Sequence, residues 1–149
     1  MVKVNIAEDG NCEVLQMGDA EMEQVVGGCL CGAVRFSAAG DPLRVGICHC
    51  LDCKKHHGSA FYAAAIFSKN TVQVVGSFAE YKGRCFCPKC GSSVFATTGD
   101  EIELHLGALD DPATFAPTYE LWTSRKERWL PGFSSMEHHA QDRQQDGDL

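Results

Sequence analysis

The chain has 149 residues, of which 20 are acidic and 13 are basic, and its formal net charge is −7 at pH 7. This length is typical of one domain, and the acidic balance argues against a nucleic-acid partner, because phosphate backbones need a concentrated basic surface. No apolar run approaches the roughly 18 residues of a membrane span, and the first residues lack the apolar core of a signal peptide. We therefore predict a cytoplasmic protein that binds neither nucleic acid nor membrane.

Short β-type patterns follow one another along most of the chain. Residues 1–23 are polar and acidic and are predicted to be an N-terminal extension. A single helical turn is expected after Cys53, ended by Gly58. Alternating or apolar runs bounded by turn residues predict strands at 33–39, 42–47, 59–67, 71–76, 92–98, 101–109 and 118–124. The predicted fold class is mainly β with little helix, in one domain over residues 24–133.

The last residues, 134–149, differ from this β domain in composition. They are mostly polar, and their few apolar side chains do not form a core pattern. Segments of this kind cannot bury enough apolar surface to offset the cost of ordering the chain. We therefore predict a mobile tail.

Nine cysteines are many for a chain of this length. In a reducing compartment clustered cysteines are metal ligands or nucleophiles more often than disulfides, and C-x-C spacing is too close for relaxed disulfide geometry. All except Cys12 fall into three groups, namely Cys29 and Cys31, then Cys48, Cys50 and Cys53, and finally Cys85, Cys87 and Cys90.

The stretch "CPKCG" (87–91) has the form of a zinc knuckle, in which two thiolates bind one ion and a glycine turns the backbone toward the sulfurs. A knuckle supplies two of four ligands, and "CLCG" (29–32) ends in the same glycine. We therefore predict a closed structural zinc site, and the alternative is that each pair is simply two buried small side chains. The predicted ligands are Cys29, Cys31, Cys87 and Cys90.

The remaining thiols, Cys48, Cys50 and Cys53, lie in "CHCLDCKKHHG" (48–58). Catalytic zinc has three protein ligands and one exchangeable position, so these cysteines predict a second, open and catalytic zinc site. Two alternatives stay open. In one, His49, His56, His57 or Cys85 completes a closed site, although His49 is expected to point away from a metal held by its neighbours. In the other, no metal binds here.

Several motifs resemble those of the glutathione-dependent formaldehyde-activating enzymes, a family grouped with the centromere-protein-V-like proteins. They fall in order over roughly 100 residues. The joint pattern CxC, CxCxxC and CxxCG is specific, whereas each piece alone is weak. The motifs are "GGCLCGAVRF" (27–36), "CHCLDCKKHHGSAF" (48–61), "FCPKCGSSVF" (86–95), "LGALDDP" (106–112) and "ELWTSRKERW" (120–129).

The resemblance implies several small curled antiparallel sheets around zinc sites, similar to the mammalian-suppressor-of-sec-four class. It implies two zinc ions per chain, held by the two cysteine sets given above. It also implies a carbon–sulfur lyase that adds the thiol of glutathione to formaldehyde, so the expected partners are small thiol and aldehyde substrates.

Residues near the second cysteine set are candidates for the remaining chemistry. His49, His56 or His57 could move the proton, since imidazole titrates near neutral pH, and Lys54 and Lys55 could bind a glutathione carboxylate. His105 alternates with apolar residues in the stretch 101–109, and we expect it to be exposed.

Two other functions compete with the lyase. A non-catalytic, zinc-stabilised protein-binding module is favoured if the second site is closed and an apolar patch surrounds Trp122 and Trp129. A thiol redox protein is the other possibility, with Cys85 as a nucleophile whose pKa is lowered by Lys82 and Arg84.

Overall fold

The computed structural model describes residues 24–143, so the predicted extension at residues 1–23, including Cys12, lies outside the described residues. Short 3₁₀ turns occur at Lys69–Thr71, Leu106–Ala108 and Thr123–Arg125. Within residues 24–143, none of the helices has the length and hydropathy that spanning a bilayer demands. The regular elements are β1 (Gln24–Gly28), β2 (Arg35–Ala39), β3 (Arg44–Cys48), α1 (Leu51–His57), β4 (Tyr62–Ser68), β5 (Val72–Val75), β6 (Ala79–Tyr81), β7 (Arg84–Phe86), β8 (Ser93–Thr98), β9 (Glu101–His105), β10 (Tyr119–Leu121) and β11 (Glu137–His138).

The strands form two sheets, which confirms the mainly β prediction. The smaller sheet has three antiparallel strands in the order β1-β2-β5. The larger sheet has eight strands in the order β11-β10-β3-β4-β9-β8-β7-β6. Its pairs are antiparallel except that β10 runs parallel to both β3 and β11.

Strand β4 lies at the centre of the larger sheet and is covered on both faces. Ala65 and Phe67 belong to the main hydrophobic core, which also contains residues of the smaller sheet such as Phe36. On the opposite face, Tyr62 and Ile66 form a second, small buried cluster against which Cys48 and Cys53 pack. A strand buried on both sides reads as a nearly continuous apolar run, which is how "YAAAIF" appears in the sequence.

The β6–β7 hairpin is not anticipated by the sequence analysis, because each of its strands has only three residues. Tyr81 pairs with Arg84, so the loop consists of Lys82 and Gly83 alone. Both loop residues have positive φ, 49° and 77°, as a type I′ turn requires. Lys82 therefore adopts a backbone conformation that non-glycine residues rarely adopt.

The last described residues return to the larger sheet. The amide of Glu137 donates to the carbonyl of Thr118 at 2.9 Å, and the amide of His139 donates to the carbonyl of Glu120 at 2.9 Å. The prediction of a mobile tail from residue 134 does not anticipate these contacts. Backbone pairing needs no apolar side chains, so composition gives no sign of it.

Candidate metal centres

Four cysteines from two distant segments converge as the spacing predicts. Cys29 follows β1 and Cys87 follows β7, and the sulfurs of these residues and of Cys31 and Cys90 all lie within 4.8 Å of one another. Cys29 and Cys87 are buried in the main core, whereas Cys31 is exposed. The arrangement joins the smaller sheet to the larger one.

The two segments of this four-cysteine group have the same local hydrogen bonds. The amide of Cys29 donates to the carbonyl of Val34 and that of Cys87 to the carbonyl of Ser92, each at 2.9 Å. Gly32 and Gly91 donate to the carbonyls of the same cysteines, and their φ angles are 76° and 75°. Each glycine thus supplies the left-handed residue that turns the chain around its sulfurs.

The geometry of the four-cysteine group fits zinc. A tetrahedral ion with Zn–S bonds of about 2.3 Å requires sulfurs about 3.8 Å apart. The sulfur of Cys31 lies 3.6 Å from that of Cys29 and 3.7 Å from that of Cys87. Hydrogen bonds from Ser92 lower the pKa of Cys90 to about 5, which favours the thiolate that binds metal.

A second group forms where β3 passes into α1. Cys48 is the last residue of β3, Cys50 is the N-cap of α1, and Cys53 lies in its first turn. The sulfur of Cys50 accepts a hydrogen bond from the amide of Cys53 at 3.3 Å, so the helix start itself orients this ligand. All three sulfurs lie within 4.8 Å of one another, and all three residues are half-buried.

This three-cysteine group finds no fourth protein ligand in the described part of the chain. Within residues 24–143, no further His, Cys, Asp or Glu offers a ligand atom within 4.8 Å of all three sulfurs. The site is therefore not completed by His49, His56, His57 or Cys85 in this structure.

The thiols of the three-cysteine group also differ in pKa. A hydrogen bond with Cys53 lowers the pKa of Cys48 to about 7, whereas the same interaction raises the pKa of Cys53.

The three-cysteine group opens into a cleft of about 1090 Å³. One face of β4 lines this cleft, through Tyr62, Ala64 and Ile66, and so does the β6–β7 turn at Lys82 and Gly83. Ten charged side chains also line it, namely Arg44, Lys82, Arg84, Arg125 and Arg143 with Asp52, Asp100, Glu101, Glu103 and Asp142.

His49 points away from the sulfurs, as expected, and binds a buried carboxylate. Its Nε2 lies 2.8 Å from Oε2 of Glu120, which also receives Lys126 Nζ at 3.0 Å, while His138 Nδ1 lies 2.6 Å from Oε1. Although burial raises the pKa of Glu120, the hydrogen bonds from these partners lower it below its ordinary value. His49 is 0% exposed and does not line the cleft.

His105 is buried, at 4% exposure, and the expectation that it is exposed is wrong. Its Nδ1 lies 3.1 Å from the hydroxyl of Ser93, which lies 2.8 Å from Nε2 of His56. The ring of His57 packs against it at 4.6 Å, so α1 covers the face of β9 that alternation alone assigns to solvent. Burial lowers the pKa of both His105 and His56.

His57 is the histidine of α1 that lines the cleft. Its ring stacks on Tyr62 with centroids 4.7 Å apart, and the hydroxyl of Tyr62 donates to Glu103 at 2.5 Å. Burial lowers the pKa of His57 to about 4, so the ring is neutral at pH 7. The sequence analysis does not single out Tyr62 or Glu103, because they lie in different strands and only the sheet register brings them together.

The predicted glutathione-binding lysines lie outside the cleft. Lys54 Nζ donates to Glu127 at 2.6 Å and to the carbonyl of Arg125 at 2.8 Å. Lys55 is exposed on α1, and neither residue lines the cleft. Their role in binding glutathione stays a prediction without a structural contact.

Cys85 does not have the properties of a redox nucleophile. It is 2% exposed, and burial raises its pKa to about 11. The hypothesis that Lys82 and Arg84 lower this pKa is wrong, because burial and the nearby carboxylate of Glu80 raise it, and the opposing charge comes from Lys69. All eight described cysteines are free thiols.

Comparison with known proteins gives one family match. A family model described as glutathione-dependent formaldehyde-activating enzyme matches residues 24–125, which is more than half of the chain and includes both cysteine groups. A search of the curated proteins finds no significant match. The chain therefore belongs to the glutathione-dependent formaldehyde-activating enzyme family.

Proposed function

We propose that this protein is a zinc-dependent carbon–sulfur lyase that adds the thiol of glutathione to formaldehyde or handles a related thiol adduct. The observation that carries the proposal is the three-cysteine group, Cys48, Cys50 and Cys53, which opens into a cleft without a fourth protein ligand among residues 24–143. Three protein ligands and one exchangeable position are typical of catalytic zinc, whereas structural zinc is closed by four.

We propose zinc in both groups, because thiolate donors at tetrahedral spacing favour it over the harder metals. At the three-cysteine group, bound zinc supplies a position that favours a substrate thiol in its deprotonated form. The cleft brings this thiol and the aldehyde together, and proximity alone accounts for a large part of such a rate enhancement.

In the addition, the thiol sulfur forms a bond to the carbonyl carbon, the carbonyl π bond breaks, and the thiol proton ends on the oxygen. His57 lines the cleft and is neutral at pH 7, so its ring is placed to carry the thiol proton. Its pKa of about 4 makes it a weak base, and the protonated ring therefore gives the proton up readily to the oxygen. We prefer His57 to His49 and His56 for this role, since neither of those lines the cleft.

The test is exchange between free and thiol-bound formaldehyde, followed by NMR with carbon-13-labelled formaldehyde and glutathione. We expect the zinc-loaded protein to accelerate exchange above the uncatalysed rate, and Cys50→Ser to abolish the acceleration. Cys85→Ala is the matched control, because it removes a thiol outside both groups. A wild-type rate equal to that in buffer, or a fully active Cys50→Ser protein, would contradict the proposal.

One observation favours the alternative of a protein-binding module. Trp129 is 72% exposed and does not line the cleft, so its indole is available to contact a partner. If binding is the function, Trp129→Ala abolishes partner capture while Cys50→Ser does not. If the lyase proposal holds, Trp129→Ala leaves formaldehyde exchange unchanged.

A further inference from the structure

The segment 137–143 forms part of the cleft that contains the three-cysteine group, although it lies outside the residues matched by the family model. It follows the edge of the larger sheet through β11 and then runs beside residues 122–124. The amides of Trp122 and Thr123 donate to the carbonyls of Gln141 and His139 at 3.2 and 3.0 Å. The segment then brings Asp142 and Arg143 to the cleft.

The same segment holds Trp122 in an unfavourable backbone conformation. Trp122 has φ 56° and ψ 43°, in the left-handed region that bulky residues rarely adopt. Its indole Nε1 donates to Oδ1 of Asp142 at 2.7 Å, in addition to the backbone bond to Gln141. Such strain persists only where the surroundings hold it, and it concentrates at binding and catalytic sites.

The cations that line the cleft differ in whether a carboxylate neutralises them. Arg44 forms two hydrogen bonds to Glu101, and Arg84 lies 3.7 Å from Asp52. Arg143 instead lies over the ring of Tyr119, 5.2 Å from its centroid. Among residues 24–143, no carboxylate oxygen lies within 4.0 Å of the Arg143 guanidinium, which is the distance limit for an ion pair. The same holds for Arg125 and Lys82.

We propose that the segment 137–143 completes the substrate-binding wall and that Arg143 binds a carboxylate of the thiol substrate. A guanidinium matches a carboxylate through two parallel N–H···O bonds, and stacking on Tyr119 orients its plane. The site then selects carboxylate-bearing thiols, such as glutathione, over neutral thiols of similar reactivity. This inference rests on the proposed function, because it assumes that the cleft binds a thiol.

The test compares the affinities of zinc-loaded protein for glutathione and for the neutral thiol 2-mercaptoethanol by isothermal titration calorimetry. We expect Arg143→Gln to weaken glutathione binding about tenfold, the effect of losing one charge-assisted contact, and to leave 2-mercaptoethanol binding unchanged. Arg143→Lys is expected to retain an intermediate affinity for glutathione, since it keeps the charge and loses the two-bond geometry.

Arg128→Gln is the matched control, because Arg128 is exposed and does not line the cleft. It is expected to leave both affinities unchanged. If Arg143→Gln weakens the binding of both thiols equally, the segment has a purely structural role. If it weakens the binding of neither thiol, Arg143 takes no part in recognition. Either result overturns this inference and leaves the proposed function standing. If the wild-type protein binds neither thiol, the proposed function fails first and the inference falls with it.

Discussion

The two cysteine groups have the same ligand chemistry and differ in number, burial and neighbours. The four-cysteine group joins the two sheets, and two of its members, Cys29 and Cys87, are part of the main core. The three-cysteine group lies at one strand-to-helix junction, is half-buried throughout, and opens into a cleft. One group is therefore placed to hold the fold together, and the other to meet a small molecule.

The largest difference is expected when one ligand of each group is removed. Structural zinc contributes about 10 kcal/mol or more of apparent binding free energy in small peptides, which is comparable with the total stability of a typical domain. Cys87→Ser should therefore abolish the folded state, whereas Cys50→Ser should lose one metal and keep the fold. Metal content and circular dichroism of the two purified variants check this.

The proposed difference between the two groups would be wrong if both variants retained a cooperative unfolding transition and lost one metal each. The two groups would then be equivalent supports of the fold. Cys85→Ala controls for the general cost of replacing a buried thiol, since Cys85 belongs to neither group.

A second difference concerns the buried carboxylate behind the three-cysteine group. Glu120 is 2% exposed and binds His49, which lies between two of the ligand cysteines, together with Lys126 and His138. Glu120→Gln leaves the Lys126 ammonium without its charge partner, so we expect a loss of about 3 kcal/mol in the free energy of unfolding. We also expect Glu120→Gln to weaken metal binding more at the three-cysteine group than at the four-cysteine group.

Chemical denaturation measures the loss in the free energy of unfolding, and competitive chelation measures the metal affinity of each group. Glu127→Gln is the control, because Glu127 forms a partly exposed pair with Lys54, and such pairs contribute less than about 1 kcal/mol. If Glu120→Gln weakens metal binding equally at both cysteine groups, this carboxylate supports the fold in general and not the three-cysteine group in particular.

A third difference is in pH dependence, and it involves His57. Its pKa is about 4 in the folded protein, against an ordinary value of 6.5, so between these values the unfolded chain binds more protons. The free energy of unfolding therefore falls as the pH falls from about 6.5 to about 4, and His57→Gln removes this contribution. Denaturation at about pH 7 and about pH 5 should show a smaller loss of stability in the variant than in the wild type.

Both proteins lose metal affinity in the same acid range, because thiolates become protonated, so the difference between them is the informative quantity. Identical losses in the wild type and in His57→Gln would mean that the folded environment does not favour the neutral ring.

The smallest effect is expected at the ion pair that joins β3 to β9 at the cleft. Arg44 donates to both carboxylate oxygens of Glu101, and both side chains are about one-third exposed. Pairs of this kind are worth about 0.2–1 kcal/mol, so Arg44→Gln should destabilise the protein by less than about 1 kcal/mol. It should leave the content of both metals unchanged, and a loss of the second metal would show that this pair positions Cys48.

The cysteine sets and most strands were predictable from the sequence because their signals are local. A CxxCG or CxC spacing specifies two ligands of one ion, and the flanking glycines have positive φ as the turns require. The helix that contains Cys53 ends at His57 and is capped by Gly58, which takes the left-handed conformation. These features depend only on residues within one turn of the chain.

The features that sequence reasoning missed depend on distant pairing. His49 and Glu120 are 71 positions apart, and no local pattern marks them as partners. His105 follows the alternation of an exposed residue, but α1 covers that face of β9. Residues 137–143 have no apolar pattern, and they reach the cleft through backbone hydrogen bonds that composition does not encode.

The central claim is that the three-cysteine group holds an open zinc and the four-cysteine group a closed one. Zinc content and zinc K-edge absorption of the purified protein, with and without glutathione, test it most directly. We predict two zinc ions per chain, one of which gains a sulfur ligand when glutathione is added, and Cys50→Ser should abolish that change. Two ions that are each bound by four protein ligands and do not respond to glutathione would contradict the claim.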